Sequence, residues 1–137
     1  MLLRKRQHDF KRERLGGATV EFALCLPLMI MLVFGSMEAS NALFLRQGLS
    51  IAAYEAAQVA TQSGMAAAAA EARAQEVLDA RNIAGYAVTI SPQVTATTSP
   101  GTTVTVTVTA PIDANSLGPS WYFTNSVIRS TVTMRRL

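Results

Sequence analysis

One stretch limits what this chain can fold into more than any other: residues 15–45, LGGATVEFALCLPLMIMLVFGSMEASNALFL. From Phe22 to Leu45, Glu38 is the one side chain charged at neutral pH. As a helix, that segment reaches about 36 Å at ~1.5 Å per residue. A bilayer core is ~30 Å thick and takes about 20 mostly apolar residues. The segment is therefore long enough to span a membrane, with tilt to spare. A buried core helix would need apolar mass on every side, and a chain of 137 residues has too little left to supply it. A cleavable export signal fits poorly, because the apolar run is too long and no clear small-x-small site follows it.

Charge sets the orientation. Residues 1–15 carry Arg4, Lys5, Arg6, Lys11, Arg12 and Arg14 against Asp9 and Glu13, while the whole chain sums to +3. The basic surplus thus sits in the leader, and the rest is close to neutral. Cations that abut an apolar span, without interleaved aromatics, argue against a nucleic-acid partner. The positive-inside rule puts the leader in the cytoplasm and the C-terminal part across the membrane. No fold is expected in residues 1–15. The single cysteine, Cys25, lies in the apolar run and reads as a small hydrophobe, so the exported part stands without disulfides. The single histidine, His8, is in the leader, so no metal cluster and no cofactor site is expected.

Past the span the helical pattern continues. Leu45, Leu49, Ala52, Ala53, Ala56, Val59 and Ala60 form a stripe at three- and four-residue spacing over residues 46–62. Ser50, Tyr54, Glu55, Gln58 and Thr61 lie mostly off it. Ser63-Gly64 breaks the run. Residues 65–82 form a second helix, with Ala67, Ala70, Ala74, Val77 and Leu78 on one face, closed by Asn82 to Gly85. The period then changes to two. Residues 87–97 read as a strand with Val88, Ile90, Val94 and Ala96 on one face, and Pro92 makes it an edge or bulged strand. Residues 102–110 are the clearest strand, Val104, Val106 and Val108 inward and threonines outward. Residues 126–134 are the last, with Ile128, Val132 and Met134 inward. Between these two strands lies a loop with the aromatic run Trp121-Tyr122-Phe123, read as a core or membrane-interface anchor. The expected fold class is α+β: a long transmembrane helix (residues 17–45) behind a basic leader (1–16), then an exported domain (46–137). In that domain helices cover one face of a small three-stranded antiparallel sheet.

The motif that carries function is Gly16-Gly17-Ala18-Thr19-Val20-Glu21-Phe22. After a basic leader and before an apolar helix, it resembles the processing site of type IV prepilins. In that family a membrane aspartic peptidase cuts after a glycine, and Glu stands fifth in the mature chain, followed by an aromatic residue. With the cut after Gly16, Glu21 is fifth and Phe22 takes the aromatic place. A glycine there lets extended backbone enter a cleft with no Cβ in the way. Cleavage frees an α-amino group, which Glu21 can neutralise within its own helix or a neighbour's. Glu21 also suits the dipole at a helix N-terminus. The wider pattern ATVEFAL-x-LPL, FG-x-x-E and RQ-x-L-x-x-AAYEAAQVA resembles the TadE-like family of Flp (Tad) pilus assembly. So does the tail Ser130-Thr131-Val132-Thr133-Met134-Arg135. Those proteins are type IVb pseudopilins with a spanning helix and a small periplasmic domain. The resemblance implies a bacterial inner-membrane protein whose partners are a prepilin peptidase, other pseudopilins or pilins, and membrane lipid. The second Gly after the cut, and Tyr54-Glu55-Ala56-Ala57-Gln58 in place of an Arg-bearing run, depart from the family pattern.

Three residues of the span have candidate helix contacts. Pro27 removes a donor and crowds the carbonyl of Ala23, giving a simple kink or a local melt on assembly. Glu38 falls roughly 24 Å beyond Phe22, near the outer headgroups or against a partner helix. Gly35, with other small residues nearby, allows close approach. Catalysis is disfavoured: the carboxylates Glu55, Glu71, Glu76, Asp79 and Asp113 fall mostly on solvated faces, with no histidine or cysteine in the exported part. No small-molecule substrate is implied. The alternative to a processed pseudopilin is an unprocessed single-pass protein whose exported domain binds another protein.

Overall fold

The computed structural model describes residues 6–118 and 123–137. Their order is helix α1 (Arg6–Thr61), helix α2 (Ala67–Ala80), strand β1 (Ala87–Ser91), strand β2 (Thr103–Pro111), a 3-10 turn (Asp113–Asn115) and strand β3 (Val127–Arg135). The chain divides into two units, Met1–Met37 and Glu38–Leu137. In the first unit, described from Arg6, everything is helix α1, which runs on through Pro27. The backbone of residues 6–15 is helical, which corrects the expectation of no fold there. Leu, Met and Ala make up much of the apolar run, and their side chains lose little freedom in a helix. From Val20 to Met37 every large apolar side chain is exposed. In water that surface would be untenable, and a helix of this length and composition can cross a membrane.

The second unit is built around one core. The expected stripe of α1 is buried from Leu45 through Ala60, with Val59 packed at its margin. Ala67, Ala70, Ala74 and Leu78 of α2 join it, as do Val104, Val106 and Val108 of β2. Alanine buries little area, and the largest fully buried side chains are Leu49, Leu78 and these three valines. The sheet has the order β1-β2-β3, antiparallel throughout. Its inner face stacks Ile90, Val106 and Val132 in one row, and Val104 with Met134 in the next. Its outer face carries threonines, and Thr105–Thr133 and Thr107–Thr131 share hydroxyl hydrogen bonds across β2 and β3. Ser130, in the middle of the inner face of β3, donates to the Ser50 hydroxyl of α1 at 3.1 Å.

Element ends follow local chemistry. α2 ends in a Schellman arrangement: Asn82 takes φ 54°, its N–H donates to the Asp79 carbonyl, and the Ile83 N–H donates to Leu78. No side chain caps its start. Instead the Val94 carbonyl accepts from the Ala67 N–H at 2.9 Å, which meets one of the orphan donors of the first turn. β1 stops at Ser91, short of the expected 97, because Pro92 has no N–H to extend the ladder. Val94 is still buried, but in irregular chain beyond the strand, and Ala96 is exposed in a turn rather than inward. Thr61, expected off the stripe, is buried, and its hydroxyl donates to the Ala57 carbonyl.

Candidate processing site and the Glu38 latch

Gly16, Gly17, Glu21 and Phe22 all lie on α1 and are exposed. A Cβ built at Gly16 or Gly17 would meet nothing within 4 Å. No described side chain packs against either position. Each glycine weakens a helix by about 1 kcal/mol relative to alanine, so the pair marks the cheapest place along this stretch to unwind. Cys25 is a free, exposed thiol in the apolar run, and Gly35 is half-buried.

Glu38 opens the second unit and is 7% exposed. Its Oε1 accepts the Phe123 backbone N–H at 2.9 Å, across 85 residues of sequence. One turn on, the Asn41 side-chain amide donates to the Asn115 carbonyl at 2.9 Å. Asn115 is itself a junction. Its Oδ1 accepts from the Ala84 N–H, and its Nδ2 donates to the carbonyls of Ala84 and Pro111. Asp113 accepts the Asn125 N–H, which secures a residue at φ 57°. The loop between β2 and β3 is therefore tied to α1 by Glu38 and Asn41. Sequence spacing does not reveal either tie, because both are long-range. Of the aromatic run in this loop, Phe123 is exposed; Trp121 and Tyr122 lie outside the described residues.

At the far end of the domain, Arg136 is 3% exposed. Its guanidinium donates to the Ala60 carbonyl at 2.9 Å and twice to the Met65 carbonyl at 3.1 Å. The Leu137 N–H donates to the Thr61 carbonyl. The tail thus supplies acceptor-satisfying donors for the last turn of α1, where a cation also suits the dipole. On the helical side, Arg73 of α2 bridges Glu55 of α1 at 2.6 Å and Glu76 at 2.7 Å. The hydrogen bonds to Glu76 and then Glu55 hold the Arg73 guanidinium above its ordinary pKa. Tyr86 donates to Asp79 at 2.9 Å, and that bond raises the phenol's pKa. Among the described residues, no three His, Cys, Asp or Glu side chains gather as a metal site.

The first unit thus offers an apolar helix of membrane-crossing composition that carries an exposed Gly-Gly pair, and the second a pilin-like α+β domain. The family model of TadE-like proteins matches residues 16–58. That span takes in the glycine pair, the exposed apolar run and most of the buried stripe of α1. α2 and the sheet lie outside it. No curated protein and no solved structure matches the chain.

Proposed function

We propose that this protein is a minor pseudopilin of a Tad-type (Flp) pilus system, cut after Gly16 and held in the inner membrane by α1. The TadE-like match over residues 16–58 carries the proposal. It begins at the residue that the motif places before the cut. The exposed apolar surface of Val20–Met37 supports a membrane seat. The basic leader then stays cytoplasmic and the α+β domain stands in the periplasm. After the cut, Glu21 pairs with the new α-amino group, its own or that of a neighbouring helix. The helix can then pack among other pilins or pseudopilins of the same system. Gly35, Pro27 and the small residues around them face that packing. The protein is structural, and its peptidase supplies the chemistry.

Co-expression of a C-terminally tagged chain with a type IVb prepilin peptidase tests this. The tagged band should lose the mass of the basic leader, and Gly16→Leu should abolish the shift. An unshifted wild-type band beside active peptidase would leave a single-pass protein with a binding domain.

A further inference from the structure

Five large apolar side chains lie exposed at one end of the second unit: Leu43, Phe44, Leu117, Phe123 and Val127. Leu117 is 90% exposed, Phe44 69% and Val127 63%. They surround α1. Phe44 lines a groove with Leu117 and Asn115 on one side, and Leu43 lines another with Phe123 and Val127 on the other. Scattered exposed apolar residues need no explanation, but a ring of them at one end of a small domain does. Cations accompany the ring. Arg46 and Arg129 line the Leu43 groove and Arg81 the Phe44 groove. Among the described residues none of the three is ion-paired, and the nearby Asp113 carboxylate is turned onto the Asn125 N–H of its own loop.

We infer that this ring is seated in the headgroup–acyl boundary of the bilayer, with Arg46 and Arg129 at the lipid phosphates. The inference rests on the spanning reading of α1. Two observations lead to it. First, counted from Phe22, a core ~30 Å thick ends about 20 residues on, at ~1.5 Å per residue. That is Ala42, and Leu43 and Phe44 follow directly. Second, the Phe123 N–H is bonded to the Glu38 carboxylate. Glu38 lies about one turn before Ala42 on the same helix. The latch therefore holds Phe123 beside this turn of α1, and Phe123 and Val127, which line one groove with Leu43, meet the same boundary. Aromatic and apolar side chains with arginines beside them are the composition that such a boundary selects. Glu38 accordingly does more than tolerate the interface: it pulls a second segment of chain into it.

Site-directed spin labelling of the full chain in liposomes tests this. The lipids are zwitterionic with an anionic phospholipid, at low protein density, and Cys25→Ser removes the native thiol. Single cysteines replace Leu117, Val127, Leu32 in the span, and Thr97 at a polar turn of the domain. Power saturation compares a water-soluble nickel chelate with oxygen. Labels at Leu117 and Val127 should lose nickel accessibility relative to Thr97 and keep oxygen accessibility, approaching Leu32. Adding Glu38→Ala, which removes the acceptor of the Phe123 N–H, should raise nickel access at Val127. Nickel accessibility at Leu117 and Val127 equal to that at Thr97, with Leu32 protected, would overturn the inference while leaving the span intact. Protection from both probes would mean that a protein surface covers the ring, which also overturns it. A Leu32 label as open to nickel as Thr97 would instead overturn the spanning reading itself.

Discussion

Replacing Arg136 with alanine should be among the most damaging single changes outside the apolar core. The guanidinium is buried and makes three hydrogen bonds to two carbonyls, those of Ala60 and Met65. A bond from a charged donor is worth about 1.5–3 kcal/mol, and a buried acceptor left unsatisfied costs a similar amount. The three bonds share two acceptors, so they do not add in full, and a net loss of about 3 kcal/mol is expected. For a domain of this size that corresponds to a fall in Tm of roughly 10–20 °C. Thermal unfolding of the full chain in detergent micelles, followed by far-ultraviolet circular dichroism, measures it. Arg136→Lys should recover only part of the loss, because a point charge cannot reach two carbonyls with a fork of donors. Arg135→Ala is the control: Arg135 donates from Nε to the Gly101 carbonyl at the surface, and its loss should cost under about 1 kcal/mol. Equal Tm values for Arg136→Ala and Arg135→Ala would refute the idea that the tail fastens the end of α1.

Other outcomes follow from the same geometry. Glu38→Gln should weaken the tie to Phe123, and Glu38→Ala should remove it, raising amide hydrogen exchange through residues 112–126 while β2 stays protected. Leu49→Ala, at a fully buried site, should cost about 2–5 kcal/mol, read from the same thermal transition. Tyr86 should titrate above an ordinary tyrosine, because its proton is held by Asp79. Its contribution to stability is complete below the ordinary phenol pKa and is lost as pH rises through the raised one. Ultraviolet absorbance of tyrosinate, taken as the difference between wild type and Tyr86→Phe, should show the midpoint fall towards the ordinary value in Asp79→Asn.

The parts of this fold that were legible in the sequence are those carried by period and composition. The apolar run, the three- and four-residue stripe of α1 and the alternating Val/Thr strand β2 each announce their geometry locally. Asn82 was legible as a stop because few residues tolerate φ 54°. What escaped is what joins distant segments. The Glu38–Phe123 and Arg136–Ala60 bonds span 85 and 76 residues, and no local pattern encodes them. α2 starts without a capping side chain because a carbonyl from the β1–β2 connection does that work. Ala96 looked inward by alternation, but the ladder had already ended at Pro92. For the candidate site the division is similar. The glycine pair, Glu21 and Phe22 are proposed from spacing and resemblance and the fold adds only their exposure, whereas the latch at Glu38 needed the fold.

The most direct test of the central claim is the amino terminus of the membrane-resident protein. Purified from cells with an active type IVb prepilin peptidase, it should begin at Gly17 by Edman sequencing and intact mass, and the Gly16→Leu variant should remain uncut. A chain that still begins at Met1 with the peptidase active would contradict the claim.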